Sequence, residues 1–225
     1  MKYDLVIYDL DGTAFDTAPG IIHCVKEILT GIDHPIPNEK TIRSFIGPPL
    51  FEGFHEVCGV PREAALQASQ DYMALYRQVG YQMAEPYGGF RELLAAVVEA
   101  GGANAVATLK DQSYLLHMME HYDLRQYFKA VCGSDDANGV HTKGDVIRVC
   151  LGQTGYDPSR CVMIGDSAYD AEGAEECGMD FIAVTYGFGF TTREKAEAVK
   201  SVFVADTVEE IGEFLGVKKP LAVKR

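Results

Sequence analysis

Near its N-terminus the chain reads Tyr3-Asp4-Leu5-Val6-Ile7-Tyr8-Asp9-Leu10-Asp11-Gly12-Thr13. The stretch from Tyr3 to Leu10 is mostly apolar, which predicts a buried strand. Asp9 and Asp11 end this stretch, and carboxylates two residues apart on an extended chain point the same way. Two acids directed at one spot repel each other unless a cation or a proton lies between them. The pair is therefore far more specific than a single aspartate at a strand end, which is usually a surface acid or a helix cap.

Short apolar runs alternate with helical patterns along most of the chain, which is typical of parallel strands joined by crossover helices. After the first strand, the sequence predicts strands at Ala103 to Leu109, Ala130 to Gly133, Cys161 to Gly165, Phe181 to Thr185 and Val202 to Val204. It predicts helices at Gly89 to Ala100, Gln112 to His121, Lys143 to Thr154, Ala168 to Cys177 and Val208 to Leu215. Because the strands are apolar nearly throughout, we expect an α/β fold with a doubly wound, Rossmann-like parallel sheet.

One region breaks this alternation. From Pro19 to Met83 the sequence has no strand pattern, and it predicts helices at Ile21 to Leu29, Glu39 to Ile46, Leu50 to Cys58 and Arg62 to Val79. The simplest account is a small all-helical cap domain, residues 17–83, inserted after the first strand. The core domain would then comprise residues 1–16 and 84–225.

Ligands of doubly wound sheets bind at the carboxyl ends of the strands. Polar residues follow the apolar runs at those ends, namely Asp9 and Asp11, then Thr108 and Lys110, then Asp166 and Asp170. We therefore expect these residues to share one site, with the helical insertion lying over it as a lid.

The D-x-D-G-T string of Asp9 to Thr13 resembles the haloacid dehalogenase superfamily, whose phosphatases have it directly after their first strand. In that family the first aspartate attacks phosphorus, and the second protonates the leaving oxygen and later activates water. The resemblance implies that Asp9 is the nucleophile, forming an aspartyl-phosphate, and that Asp11 is the general acid and base. Because the dehalogenase members lack the second acid, Asp11 favours a phosphatase or phosphotransferase.

A second string, Gly165-Asp166-Ser167-Ala168-Tyr169-Asp170, resembles the metal-binding element of the family, although alone it could be a helix cap. The resemblance implies that Asp166, Asp9 and the backbone carbonyl of Asp11 hold Mg²⁺, which prefers a few oxygen ligands. Asp170 lies one helical turn later, either supporting the other residues or binding the metal through water.

The family also expects a hydroxyl residue and a lysine near this edge. Thr108 fits the first position, as a hydrogen-bond donor to a phosphate oxygen, and Lys110 nearby is either a substrate contact or a solvated lysine. Lys143 fits the second position, where its charge would balance the nucleophile and the phosphate. Many relatives of the phosphoglycolate-phosphatase type have a proline directly after this lysine, but here Gly144 follows, which leaves the local geometry open.

The insertion and one late loop give weaker signals. Phe15-Asp16-Thr17 and Phe45 to Leu50 resemble the cap of phosphoglycolate-phosphatase-type and 5′-nucleotidase-like members. Candidate specificity residues, each with an ordinary structural role as the alternative, are Asp16, Arg43, Pro48 and Phe51. Gly187-Phe188-Gly189-Phe190-Thr191 begins like a glycine-rich phosphate loop but lacks the third glycine, so we expect a flexible loop.

Composition limits the partners. The 225-residue chain has a formal net charge of −13, which argues against nucleic-acid binding, so an anionic substrate needs local positive charge. The sequence has no signal peptide and no apolar run of about 20 residues, so we expect a cytoplasmic protein without a membrane partner. Six scattered cysteines indicate buried free thiols. The basic residues from Lys218 onward indicate a frayed tail.

These features predict an Mg²⁺-dependent phosphatase acting on a small phosphorylated metabolite, with phosphoglycolate or a nucleoside monophosphate among the candidates. One alternative is a phosphoglucomutase-type phosphotransferase with the same core. Another is a non-catalytic binding protein on this fold, although such a protein has no need of the acid and base Asp11. Nothing in the sequence indicates the oligomeric state.

Overall fold

The computed structural model describes residues 1–46 and 49–217. Predictions for Pro48 and for the basic residues from Lys218 onward lie outside these ranges. Contacts divide the chain into two compact units, Met1–Phe15 with the residues from Pro86 onward, and Asp16–Glu85. From the sequence, the boundaries were expected after residues 16 and 83.

The first unit is built around a six-stranded sheet in which every pairing is parallel. Its strands are β1 Leu5–Tyr8, β4 Ala103–Asp111, β5 Phe128–Ser134, β6 Cys161–Gly165, β7 Asp180–Val184 and β8 Phe203–Ala205. The two-residue strands β2 Phe15–Asp16 and β3 Glu85–Pro86 form a separate two-stranded sheet.

The strand order is β5-β4-β1-β6-β7-β8, so β1 is central and the winding reverses beside it. Leu5 of β1 pairs with Ala103 of β4 on one side and with Cys161 of β6 on the other. In an open sheet this reversal opens a crevice at the carboxyl ends of the strands, where ligands bind. The sheet therefore brings the ends of β1, β4 and β6 together.

Helices cover both faces of this sheet, which explains why all four residues of β1 are fully buried. The helices of the first unit are α5 Phe90–Glu99, α6 Gln112–His121, α7 Lys143–Thr154, α8 Ala168–Glu176, α9 Arg193–Glu197 and α10 Val208–Leu215. On one face, Ile7 belongs to a cluster with Val146 of α7 and Ala174 of α8. Tyr8 points the other way, and its ring meets that of Phe90 edge-on at 5.2 Å between centroids.

The second unit is helical between its short bounding strands. Its helices are α1 Ala18–Gly31, α2 Glu39–Arg43, α3 Leu50–Glu52 and α4 Arg62–Gln78, and a π-helical turn at Gly53–Val57 follows α3. A Cβ on Gly20 of α1 would lie 2.0 Å from the carbonyl oxygen of Gly80, so this close approach requires glycine.

Several predicted elements differ in the structure, and one helix was missed. The helix expected over Glu39 to Ile46 ends at Arg43. The first strand ends at Tyr8, not Leu10, because the amides of Thr13, Ala14 and Phe15 all donate to the Leu10 carbonyl and close a turn there. The helix expected over Leu50 to Cys58 is α-helical only as far as Glu52 and then widens into the π-turn. Helix α9 was not predicted, because five residues are too few for a periodic pattern.

No helix among the described residues is both long enough and apolar enough to cross a bilayer. All six cysteines are free thiols, and four of them are buried, as expected from their scattered positions.

Candidate active site

The turn after β1 brings its two acids to the sheet edge. The amide of Asp9 donates to the carbonyl of Ile164 on β6 at 2.9 Å, which holds the end of β1 beside the next strand. Gly12 then has a φ of 83°, a conformation that favours glycine. A Cβ on Gly12 would also lie 2.3 Å from Oδ2 of Asp166, so the two aspartate-bearing turns pack backbone against side chain.

Three carboxylates and one ammonium group form a buried cluster at this edge. Asp9, Asp166, Asp170 and Lys143 are each at most 6% exposed. The Nζ of Lys143 lies 2.6 Å from Oδ1 of Asp9 and 2.7 Å from Oδ1 of Asp170, and it donates to the carbonyl of Ala107 at 3.2 Å. One carboxylate oxygen from each acid lies within 4.8 Å of the others. The single lysine leaves the cluster with an excess of negative charge.

The first turn of α7 positions Lys143. The hydroxyl of Thr142 accepts from the amide of Asp145 at 3.1 Å, and Oδ2 of Asp145 accepts from the amide of Thr142 at 3.0 Å. This reciprocal capping box starts the helix at Lys143 without a following proline. A Cβ on Gly144 would lie 2.3 Å from Oε2 of Glu176, the end of an exposed side chain, so a larger residue here would require that side chain to move.

The side chain of Asp170 both caps the start of α8 and forms an ion pair with Lys143. Its Oδ2 accepts from the amide of Ser167 at 3.1 Å and from the hydroxyl at 2.6 Å, which caps the helix. Its Oδ1 faces Lys143. Helix capping and site support are thus the work of one side chain.

Lys110 does not point into solvent. Its side chain is 10% exposed, and its Nζ lies 3.0 and 3.1 Å from the two carboxylate oxygens of Asp11. The solvated alternative for this lysine was therefore wrong. Thr108, 2% exposed, accepts from the Lys110 amide through its hydroxyl at 3.2 Å. Thr108 also directly follows Ala107, the carbonyl of which binds Lys143.

The loop after β7 was missed as part of the site. The amides of Phe188 and Gly189 donate to Oδ2 of Asp166 at 2.6 and 2.9 Å. We expected a flexible loop, but its glycines allow the backbone to approach Asp166 closely: a Cβ on Gly189 would lie 2.6 Å from the Asp166 carbonyl oxygen. The available signal in the sequence was the pair Gly187 and Gly189, shortly after a strand that ends at the same edge of the sheet.

Burial shifts the ionisation of the cluster. It raises the pKa of Asp9 to about 7, against the opposing charge of Lys143. Burial also raises the pKa of Asp166 to about 6, and the Asp170 charge adds to this effect. Burial alone would lower the pKa of Lys143, but Asp170 and Asp9 together raise it above its usual value. The ionised carboxylates of this cluster repel one another, so a bound cation would stabilise them.

The donor set fits a hard divalent cation. All three acids offer oxygen, which magnesium prefers, and their neighbouring oxygens are close enough to share one ion. Asp11 contributes no carboxylate to this group, because its carboxylate pairs with Lys110.

The candidate specificity residues of the second unit have structural partners. Oδ1 of Asp16 accepts from the amide of Ala18 at 3.1 Å, at the start of α1. Arg43 pairs with Glu39 and is 56% exposed. The ring of Phe51 lies 5.2 Å from that of His55.

A family model described as haloacid dehalogenase-like hydrolase matches residues 6–184 of the chain. The chain belongs to this family. Its six-stranded parallel sheet has the fold of haloacid dehalogenase-like hydrolases. The protein is an enzyme of that family.

Three comparisons show how near its relatives are. Tyrosine-protein kinase PtkA of Mycobacterium tuberculosis is 33% identical, over 95% of this chain and 72% of the relative. A 5′-nucleotidase of Pseudomonas aeruginosa is 34% identical, over 84% and 86%. The crystal structure of a predicted phosphatase from Clostridium acetobutylicum matches with a TM-score of 0.83 at 32% identity, over 96% of this chain and 99% of that one.

Proposed function

We propose that the protein is an Mg²⁺-dependent phosphomonoesterase that acts on a small phosphorylated metabolite through an aspartyl-phosphate on Asp9. The observation that supports this most is the buried cluster of Asp9, Asp166 and Asp170 around Lys143. A bound Mg²⁺ would be held by Asp9, Asp166 and the backbone carbonyl of Asp11, with Asp170 as support, and would supply Lewis-acid charge stabilisation.

The two half-reactions divide between Asp9 and Asp11. A carboxylate oxygen of Asp9 attacks phosphorus as the bond to the leaving oxygen breaks, and Asp11 donates a proton to that oxygen. Asp11 then takes a proton from water, the oxygen of which attacks phosphorus and releases phosphate from Asp9. Once Asp11 has donated its proton, Lys110 holds the resulting carboxylate in place, and a role of Lys110 as a phosphate ligand stays a prediction.

Because the protein is acidic and the substrate is an anion, the site itself must supply positive charge. Lys143 neutralises Asp9 directly and lies within reach of a phosphate placed on it. Thr108 is proposed to donate its hydroxyl to a phosphate oxygen. In phosphoryl transfer of this type, catalysis consists mostly of positioning and electrostatic stabilisation.

A substrate screen tests the proposal. We expect purified protein with Mg²⁺ to release phosphate from p-nitrophenyl phosphate and from one class in a panel of phosphorylated metabolites that includes phosphoglycolate and nucleoside monophosphates. Excess EDTA should abolish this release, and added Mg²⁺ should restore it. Turnover that persists undiminished in EDTA would contradict the metal requirement.

Magnesium binding should depend on pH. Mg²⁺ must displace protons from Asp9 and Asp166, the pKa values of which are raised to about 7 and about 6 in the metal-free protein. We therefore expect affinity to rise between pH 5.5 and pH 7.5 and to level off above that range. Calorimetric titrations at several pH values check this, and a constant affinity over the range would contradict it.

The same shifts affect the stability of the metal-free protein. The unfolded carboxylates ionise near pH 4, well below the folded ones, so the folded state binds more protons between these values. The contribution of Asp9 and Asp166 to stability in EDTA should accordingly fall as the pH rises from about 4 to about 7. Thermal melts in EDTA at several pH values check this trend, which saturating Mg²⁺ should reduce; melting temperatures in EDTA that do not fall over this range would contradict it.

Transfer to an acceptor other than water is the second candidate. The 33% identity to PtkA supports this candidate, because that relative is named as a kinase. Transfer to a sugar phosphate, as in a phosphoglucomutase-type enzyme, would use the same Asp9 and Asp11. Incubation with hexose phosphate, and separately with ATP and tyrosine peptide, distinguishes isomerisation and peptide phosphorylation from release of free phosphate.

A further inference from the structure

The segment Tyr186-Gly187-Phe188-Gly189, which we term the glycine loop, directly follows Thr185 after β7. Its amides at Phe188 and Gly189 both donate to Oδ2 of Asp166. The next amide, that of Phe190, donates to the backbone carbonyl of Asp166 at 2.7 Å. Three consecutive amides therefore hold one aspartate by its side chain and its backbone.

The same loop also holds the turn after β1. A Cβ on Gly187 would lie 2.3 Å from the carbonyl oxygen of Gly12 and 2.4 Å from Oδ2 of Asp166, so the loop fits between the two. The hydroxyl of Tyr186 donates to the carbonyl of Thr13 at 3.1 Å. The glycine loop thus contacts both segments that contribute acids to the buried cluster.

These contacts restrict how Asp166 can bind a cation. Its Oδ2 already accepts two amide hydrogen bonds, which leaves Oδ1 as the oxygen free to bind a metal ion. Amide donors at a ligating carboxylate orient it, and such outer contacts typically control metal affinity.

We propose that the glycine loop is a positioning element for the metal site. It presents a single oxygen of Asp166 and fixes the spacing between Asp166 and the turn that contains Asp11. This inference rests on the proposed function for the presence of the metal and adds a structural determinant of its affinity.

Gly187→Ala is the main test. The added methyl group must displace either the Gly12 carbonyl or Asp166, so we expect Mg²⁺ affinity, measured by calorimetry, to fall about 10- to 100-fold. Mn²⁺ binding followed by electron paramagnetic resonance should weaken in parallel. Gly152→Ala is the matched control, because Gly152 is exposed in α7 and a Cβ there meets no atom within 4 Å.

Tyr186→Phe is the second variant, and it removes only the hydroxyl that binds the Thr13 carbonyl. We expect a smaller loss of Mg²⁺ affinity, about 3- to 10-fold, from one missing hydrogen bond that holds the turn. This variant keeps the test decisive if Gly187→Ala does not fold.

The outcomes separate the two proposals. Wild-type protein that binds no Mg²⁺ would refute the proposed metal-dependent function itself. If wild type binds Mg²⁺ and the folded loop variants bind it with the same affinity, only the proposed role of the glycine loop is overturned. A loss confined to the loop variants, with Gly152→Ala unchanged, supports the inference.

Discussion

Asp9→Asn is expected to lower phosphate release at least about 1,000-fold, because an amide cannot form the acyl-phosphate that a carboxylate forms. The substitution keeps the size and shape of the side chain, and its carbonyl oxygen can still accept from Lys143, which lies 2.6 Å from the native Oδ1. Steady-state release of phosphate from p-nitrophenyl phosphate measures the effect. Mass spectrometry of rapidly quenched enzyme should show a phosphorylated wild type and an unmodified variant.

The thermal stability of Asp9→Asn shows whether a loss of activity comes from the missing nucleophile or from unfolding. Asp9 is buried beside two further carboxylates, and both burial and their negative charge disfavour its ionised form and raise its pKa. A neutral Asn relieves this repulsion, so we expect the variant to melt no lower than wild type in EDTA. Asp4→Asn is the matched control, because Asp4 precedes β1 and pairs with Arg160 on the surface. Wild-type turnover by Asp9→Asn would contradict the assignment of the nucleophile.

Lys143→Met is expected to lower turnover about 100- to 1,000-fold and also to destabilise the fold. Met keeps most of the apolar stem but removes the single ammonium group of the buried cluster, which balances Asp9 and Asp170. Loss of one partner from a buried ion pair typically costs about 3–5 kcal/mol, because the remaining charge stays buried and unpaired. Removal of a preorganised charge at the reacting group accounts for the loss of rate.

Chemical denaturation in EDTA and in Mg²⁺ measures the structural part of this prediction. We expect the stability difference from wild type to be smaller in Mg²⁺, because a cation compensates the carboxylates. Lys200→Met is the control, because Lys200 forms an exposed pair with Glu175 and such pairs contribute little. Unchanged stability and turnover in Lys143→Met would show that the lysine is a bystander.

Features with a periodic pattern were predictable from the sequence. Strand Cys161–Gly165 and helix Gln112–His121 have the predicted bounds, because each is a regular apolar or helical pattern. The rule that ligands bind at the carboxyl ends of strands also predicted that Asp9, Asp166 and Asp170 would lie together, as they do.

Features that depend on approach in space were not predictable in this way. Lys110 finds Asp11 only because β1 and β4 are neighbours, and a lone lysine after a strand does not reveal that contact. The glycine loop has no periodicity, and its amides reach Asp166 only in the folded sheet. The pattern of residue types along the chain therefore does not predict its role.

The double use of Asp170 has a consequence for local opening. Oδ2 caps α8 and Oδ1 meets Lys143, so fraying of the first turn of that helix withdraws the charge partner of the lysine in the same event. The intact site then exists only for the fraction of time that this turn is closed. A ligand that binds only the intact site shifts this equilibrium toward the closed turn, which links occupancy of the site to protection of a helix start.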